Sequence, residues 1–202
     1  DSYIAGAKSK DLLLQPFLLA LSLRADGWWV MQTIIWHKPN AMPESATDRC
    51  TTAHSYIFLL SKSAHYWFDA EAIAEPALWE RWGDQTVPKY EGTKTSTGWM
   101  KPKSRAELTA HAGGLKNARS VWTIPTRGYP GAHFATWPEA LVERIIKAGC
   151  PEGGTVLDPF IGSGTTALVA RNLGRRSIGI ELNETYCELA AKRLAQQSLL
   201  AE

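Results

Sequence analysis

The stretch TVLDPFIGSGTT, residues 155–166, reads as a short apolar strand, a glycine turn and the start of a helix. Gly162 and Gly164 allow a tight backbone turn and the close approach of a ligand. The pattern predicts a helix at 165–173, a second strand at 176–181 and an amphipathic helix at 184–199. This order is a βαβ unit, so at least part of the sheet is predicted to be parallel.

An acidic residue, Glu181, ends the second strand about twenty residues after the turn, the place where such units hold a ribose. A carboxylate there accepts hydrogen bonds from ribose hydroxyls. The pattern therefore predicts a nucleoside-type cofactor over the strand ends. The alternative is a tight turn that binds no ligand.

The identity of that cofactor depends on the residues around the turn. Residues 162–167 fit the dinucleotide fingerprint G-x-G-x-x-A, which keeps an NAD-dependent oxidoreductase as an alternative. However, Asp158 and Phe160 put a carboxylate and an aromatic ring beside the ligand. A carboxylate is unfavourable beside a pyrophosphate and favourable beside a cation. The residues thus favour S-adenosyl-L-methionine (SAM), which has a sulfonium, an amine and no phosphate.

The composition is that of a soluble globular chain. It has 202 residues, of which 45% are hydrophobic and 21% are charged. The net charge of +2 is too small to predict a nucleic-acid partner by itself. No apolar run is long enough to cross a membrane. The three cysteines form no C-x-x-C pair, which favours a reducing compartment, and we expect a cytoplasmic location. The five histidines have no metal-ligand spacing, so no metal is expected.

The other periodic segments are a helix at 11–25, strands at 28–36, 55–60 and 66–68, and a helix at 138–149. The strands at 55–60 and 66–68 lie a hairpin's distance apart. Thr136 and Glu139 resemble a capping box. Trp28, Trp29 and Trp36 are predicted to be core residues, as is Trp67.

Basic residues are concentrated at 83–127, which holds eight Lys/Arg and three Asp/Glu, a local net charge of 8 − 3 = +5. The segment is either a solvated surface loop or a loop that contacts phosphates. Trp99 and Trp122 lie in it and are candidates for stacking on a base. The cations that could contact phosphates, with ordinary surface charge as the alternative, are Lys38, Arg49, Lys101, Lys103 and Arg105.

Motifs along nearly the whole chain outside 83–127 resemble the circularly permuted β group of bacterial and phage DNA amino-methyltransferases. The cofactor-region motifs are Asp158-Pro159-Phe160-Ile161-Gly162-Ser163-Gly164-Thr165-Thr166, Gly174-Arg175-Arg176, Ile178-Gly179-Ile180-Glu181, Tyr186 and Ala190-x-x-Arg193. The upstream motifs are Ile35-Trp36-His37-Lys38-Pro39-Asn40, Pro43-Glu44-Ser45, Asp48-Arg49, His54 to Lys62, Phe68-Asp69 and Ala132-His133-Phe134-Ala135-Thr136-Trp137-Pro138.

This resemblance implies an α/β, Rossmann-like SAM-dependent methyltransferase fold, a mixed seven-stranded sheet with helices on both faces. It implies a single domain, 1–202, in which 70–127 is an inserted target-recognition region, and double-stranded DNA as the partner. The reaction would be methyl transfer to the exocyclic amine of adenine or cytosine. The implied cofactor residues are Asp158, Pro159, Phe160, Gly162, Ser163, Gly164, Thr165, Thr166 and Glu181, with the backbone of His133, Phe134 and Ala135.

One motif of that family is absent. The family activates the amine with an Asp/Ser/Asn-Pro-Pro-aromatic tetrapeptide, which also stacks on the flipped base. This chain has eleven prolines and no two are adjacent, so its catalytic residues stay unknown. We expect a chain that begins after the tetrapeptide and its central strand. A missing segment or a homodimer partner would then complete the sheet. A catalytically incomplete SAM- and DNA-binding fragment or subunit is the alternative function, and RNA or protein substrates stay open.

Overall fold

The computed structural model describes residue 8 and residues 10–76, 115–127 and 137–198. Within this part of the chain lie four α-helices and seven β-strands. The helices are α1 (Gln15–Ala25), α2 (Glu139–Gly149), α3 (Thr165–Asn172) and α4 (Glu184–Ser198). The strands are β1 (Trp29–His37), β2 (His54–Ser61), β3 (Glu75–Pro76), β4 (Leu115–Lys116), β5 (Val121–Thr123), β6 (Thr155–Asp158) and β7 (Arg176–Gly179).

The first sheet has the order β2-β1-β5 and is mixed. β1 pairs antiparallel with β2, and it pairs parallel with β5 through Ile35 opposite Val121 and Trp36 opposite Trp122. β-Branched and aromatic residues of β1 favour this extended, half-buried setting. The predicted strand at 66–68 is wrong, because these residues have no strand pairing and β2 finds its antiparallel neighbour in β1 instead.

Helix α1 begins four residues later than the pattern predicts. Pro16 is in its first turn, where a missing N–H costs no helical hydrogen bond. The N-cap residue of α1 is Leu14, and no side chain caps the helix. Asp11, a possible cap for the predicted start, instead accepts from the backbone N–H of Lys8 at 2.7 Å. On the sheet side, the ring of Phe17 contacts the rings of Tyr56 and Phe58 edge-on. α1 therefore packs over β2 through aromatic contacts.

The predicted βαβ unit is present. β6 and β7 pair in parallel, with Leu157 opposite Ile178 and Asp158 opposite Gly179, and α3 connects them. α3 packs against α2, and buried Val142 and Ile146 of α2 meet Val169 and Ala170 of α3. This apolar contact holds the helix that follows the glycine turn.

Helix α2 begins at Glu139 with Pro138 as its N-cap residue, and no side chain caps it. The capping box is therefore not formed at the observed N-cap, and Thr136 itself lies outside the described residues. The helical spacing predicts a buried face of Leu141, Val142, Ile145 and Ile146. Leu141, Val142 and Ile146 are buried, but Ile145 is 39% exposed, so the prediction is wrong for that residue. The helix ends at Gly149, also as predicted.

The burial of the tryptophans differs from the prediction. Trp36 and Trp122 are both buried, and they lie opposite each other on β1 and β5. Trp122 is thus a core residue rather than a base platform, and Trp99 lies outside the described residues. Trp29 and Trp67 are exposed, against their predicted place in the core.

The β6–β7 pair leaves an apolar face uncovered by the described residues. Leu157 is 61% exposed and its register partner Ile178 is 57% exposed. Among the described strands, β6 pairs only with β7, so its other edge is open. Unpaired edges and exposed apolar faces are the surfaces on which further strands pair and pack.

The chain divides into two compact units, 1–69 with 120–202, and 70–119. In the second unit, β3 and β4 pair antiparallel, and Arg119 Nε donates to Glu75 Oε2 at 2.8 Å. β5 lies inside the predicted insertion 70–127 but belongs to the first unit by its pairing with β1. Within the described residues, no helix combines the length and the apolar character that crossing a membrane requires.

Candidate cofactor site

Asp158 shapes the turn that follows β6. Its Oδ1 accepts the backbone N–H of Phe160 at 3.0 Å, and its Oδ2 accepts the hydroxyl of Thr166 at 2.6 Å. One carboxylate therefore joins the end of the strand to the first turn of α3. Phe160 is 85% exposed, so its ring lies beside the turn without protein contacts that would bury it.

Glu181 reaches the same turn from the end of β7. Its Oε2 accepts the backbone N–H of Gly162 at 3.0 Å, and its Oε1 accepts the N–H of Asn183 at 2.9 Å. The parallel pairing continues past β7, because Ile180 donates to the carbonyl of Asp158 at 2.9 Å. The two carboxylates predicted from the sequence thus flank one turn.

At two positions in or beside the turn, a side chain larger than that of glycine would clash with a neighbour. Gly164 has φ +82°, and a Cβ there would lie 2.9 Å from the Cβ of Ala190 on α4. At Gly179 of β7 a Cβ would lie 2.2 Å from the Cδ1 of Ile161. Gly162 also has a positive φ, +51°, but a Cβ there would meet open space. The open side of Gly162 is where a ligand could approach the backbone.

The geometry fits a cationic, phosphate-free nucleoside better than a dinucleotide. A pyrophosphate needs free backbone N–H donors at the turn. Here the N–H of Gly162 is donated to Glu181 and that of Gly164 to the carbonyl of Ile161. Two carboxylates beside the turn would repel the phosphates, whereas they attract a sulfonium or an amine. Each carboxylate keeps further lone pairs for ligand hydroxyls or amines.

Several predicted cofactor residues come together in the structure. Asp158 ends β6, Thr165 and Thr166 begin α3, and the turn between them contains Pro159, Phe160, Gly162, Ser163 and Gly164. Glu181 joins this turn by a hydrogen bond. His133, Phe134 and Ala135 lie outside the described residues. The described residues contain no cluster of three or more His, Cys, Asp or Glu side chains that could hold a metal ion.

Sequence reasoning did not assign a role to the residues behind the turn. Arg193 of α4 donates to Thr165 Oγ1 at 2.9 Å and to Glu139 Oε1 at 2.8 Å. Ala190 packs on Gly164, and Gly179 makes room for Ile161. The motifs at 178–181 and 190–193 contained these residues, but only the fold reveals what they contact.

Only two of the five predicted DNA contacts lie in the described residues. Lys38 Nζ lies 4.6 Å from the centre of the Trp36 ring. Arg49 Nη1 pairs with Asp48 Oδ1 at 3.1 Å, and the same carboxylate pairs with Lys10. Lys101, Lys103 and Arg105 lie outside the described residues. Lys38 and Arg49 both belong to the first unit.

The fold is that of known DNA methyltransferases. The structure is similar to that of a SAM complex of M1.HpyAVI, with a TM-score of 0.58 and 26% identity over 91% of this chain and 71% of that one. It also resembles the PvuII DNA methyltransferase (cytosine-N4-specific), with a TM-score of 0.64 over 95% of this chain and 60% of that one. At 17% identity this second likeness concerns the fold alone.

Sequence comparison identifies the family. Residues 2–192 match the model of the N6/N4 DNA methylase family, and the chain belongs to that family. It is 43% identical to the Type II methyltransferase M.SmaI of Serratia marcescens, over 95% of this chain and 55% of the relative. It is 40% identical to the Type II methyltransferase M.XycI of Xanthomonas campestris pv. cyanopsidis, over 96% of this chain and 53% of the relative. The chain thus spans about half the length of these relatives.

Proposed function

We propose that the protein is a site-specific DNA methyltransferase, which transfers a methyl group from SAM to the exocyclic amine of adenine or cytosine. The observation that carries the proposal is the pair of carboxylates, Asp158 and Glu181, on one glycine turn in a chain of this family. The relatives are Type II methyltransferases, which favours a role in a restriction-modification system.

SAM supplies an electrophilic methyl group when it is bound. In our proposal Glu181 accepts hydrogen bonds from the ribose hydroxyls, since its carboxylate stands at the end of β7 beside the open side of Gly162. Asp158 attracts the positive charge of the methionine part. The exposed ring of Phe160 offers an apolar wall. Pro159 and Ser163 complete the turn, Thr165 and Thr166 contribute from the start of α3, and the backbone of His133, Phe134 and Ala135 contributes from the preceding segment.

Double-stranded DNA is the proposed partner. Lys38 and Arg49, with Lys101, Lys103 and Arg105, would neutralise phosphates. The region 70–127, which includes the basic segment 83–127, would carry target recognition. Because relatives come from bacteria, where DNA and SAM share the cytoplasm, we also propose a cytoplasmic location. The amine-activating group is not assigned to any residue of this chain, since the Pro-Pro tetrapeptide is absent from it.

We further propose that a strand-forming segment outside residues 1–202 covers the β6–β7 face. Two observations support this segment: Leu157 and Ile178 are exposed on one face, and the edge of β6 is open among the described strands. The relatives are about twice as long as the chain, which leaves length for such a segment. Light scattering tests the alternative, because cover by a second copy requires the 202-residue chain to form a stable homodimer, and a monomer would exclude it.

Two measurements test the function. Titration calorimetry with S-adenosylhomocysteine should detect binding, and NAD at the same concentration should give none. Transfer of radiolabelled methyl groups from SAM to duplex DNA should then be measured for the chain alone and for a longer form that includes the proposed strand-forming segment. Cofactor binding with transfer only in the longer form would mean that residues 1–202 hold the cofactor but not the whole chemistry. A folded sample that binds NAD and not S-adenosylhomocysteine would refute the proposal.

A further inference from the structure

Arg193 of α4 connects the glycine turn to the beginning of α2. Its Nη1 donates to Thr165 Oγ1 at 2.9 Å and to the carbonyl oxygen of Ser163 at 3.4 Å. Its Nη2 donates to Glu139 Oε1 at 2.8 Å. Three elements that are distant in sequence therefore meet at one guanidinium group.

The side of this contact that faces Thr165 is largely withdrawn from water, whereas the Glu139 side chain is 56% exposed. The side chain of Arg193 is 13% exposed, and Thr165 is buried. Charge-assisted hydrogen bonds in such a setting are stronger than those on an open surface. Ala190 precedes Arg193 by almost one helical turn and packs on Gly164. The same face of α4 therefore touches residues 163, 164 and 165 in succession.

The planar shape of the guanidinium explains why this position suits arginine. Its donors point in fixed, divergent directions, so Nη1 can reach the turn while Nη2 reaches Glu139. A lysine ammonium is a compact point charge, so it would bond less well to the turn and to Glu139 at the same time. Arg193 donates to protein atoms on the α4 side of the turn, whereas Asp158 and Glu181 hold it from the two strands.

We infer that Arg193 is a positioning residue of the cofactor site: it holds residues 163–165 in the shape that receives the cofactor, and Glu139 orients its guanidinium. This inference rests on the proposed function, because it assigns a purpose to the turn. Arg193 acts through the backbone and through Thr165, so its substitution should change cofactor affinity more than global stability. It would also change the local opening of the turn, which can be observed without any ligand.

The experiment compares R193M, R193K and the matched control R171M. Arg171 also joins α3 to α4, by donating to the carbonyl of Leu194, but it does not touch the turn. We expect R193M to weaken S-adenosylhomocysteine binding roughly tenfold, equivalent to about 1.4 kcal/mol. R193K should recover part of the affinity, and R171M should bind like the wild type. Amide hydrogen exchange at residues 162–165 should be faster in R193M only.

Two results would overturn the inference: wild-type affinity and exchange in R193M, or an equal loss of affinity in R171M, which would indicate general helix packing. If the wild type binds no S-adenosylhomocysteine, the proposed function fails, and the exchange measurement alone decides whether Arg193 holds the turn. If R193M does not fold, R193K and E139Q provide the same readouts. Wild-type behaviour of both would then count against the inference.

Discussion

The backbone N–H of Gly162 donates to the side chain of Glu181 at 3.0 Å, across 19 residues of sequence. This bond ties the turn after β6 to the end of β7, so the two halves of the βαβ unit share one hydrogen-bonded site. It uses a donor that a pyrophosphate would need and leaves a carboxylate at the place of a ribose. Together with the occupied N–H of Gly164 and the carboxylate of Asp158, this contact favours SAM over a dinucleotide.

Two substitutions of Asp158 should separate the effect of its charge on ligand affinity from the effect of the hydrogen bonds that shape the turn. In D158N the amide can still accept from Phe160 N–H and donate to Thr166, so the turn should persist, whereas D158A loses both bonds. We expect D158N to weaken binding of SAM more than that of S-adenosylhomocysteine, because only SAM carries the sulfonium charge. D158A should weaken both, by roughly tenfold or more. Calorimetry with the two ligands measures this difference. Equal losses in D158N would place the charge contact at the amine that both ligands carry, and wild-type binding of both ligands would contradict a charge role.

Glu181 should contribute to cofactor affinity through the ribose hydroxyls. E181A removes the acceptor and should weaken S-adenosylhomocysteine binding about ten- to hundredfold, the range for lost charged hydrogen bonds. An analogue without the ribose hydroxyls should bind the wild type weakly, and E181A should lower its affinity only slightly further. The control is E188Q, since Glu188 is exposed on α4, where it pairs with Lys192. A similar loss for both ligands would mean that Glu181 acts only through Gly162.

Gly164 and Gly27 form a matched pair for the steric argument. Both have positive φ, +82° and +90°, but only at Gly164 would a Cβ meet another atom, the Cβ of Ala190 at 2.9 Å. G27A should cost about 1 kcal/mol from backbone strain alone. G164A should cost about 1–3 kcal/mol more from overpacking. Urea unfolding curves give both values, and equal costs would show that α4 moves aside freely.

Asn40 should stabilise the segment after β5. Its Nδ2 donates to the carbonyl of Thr126 at 2.9 Å, and its Oδ1 accepts the N–H of Thr126 at 2.8 Å. N40A removes both bonds and should lower the free energy of unfolding by about 1–3 kcal/mol. N40D keeps the acceptor but turns a carboxylate oxygen toward the carbonyl oxygen of Thr126, so its free energy of unfolding should be no higher than that of N40A. Thermal unfolding of the two variants checks this, and a fully stable N40D would contradict the assigned amide orientation.

Lys38 and Arg49 should contribute to DNA affinity through phosphates. K38A and R49A should each reduce the slope of log affinity against log salt by about 1, without changing sequence preference. D48N should strengthen DNA binding, because Asp48 now pairs with Arg49 and Lys10. K192A is the control, as Lys192 is exposed on α4 and not among the predicted contacts. Fluorescence anisotropy over a salt series measures the slopes, and unchanged slopes would assign these residues to ordinary surface charge.

Prediction from the sequence was most accurate where the signal is local. The strand, the glycine turn and α3 follow from neighbouring residues, and their bounds differ from the prediction by at most two residues. The predicted strand at 66–68 was wrong because β-propensity does not choose a partner. The strand β2 could pair with a near neighbour or with β1, and only the packed sheet decides. Trp122 became core for the same reason, since β5 joins the sheet from a segment with a loop-like composition.

The sequence alone therefore specified the βαβ unit, its glycine turn and the two carboxylates that flank it, because helix periodicity, glycine conformations and turn chemistry act over a few residues. The tertiary structure decided which distant groups hold that turn. Arg193 reaches Thr165 across 28 residues and Glu139 across 54, distances that no local pattern encodes. Such contacts depend on how helices pack on the sheet, and packing is a property of the whole fold.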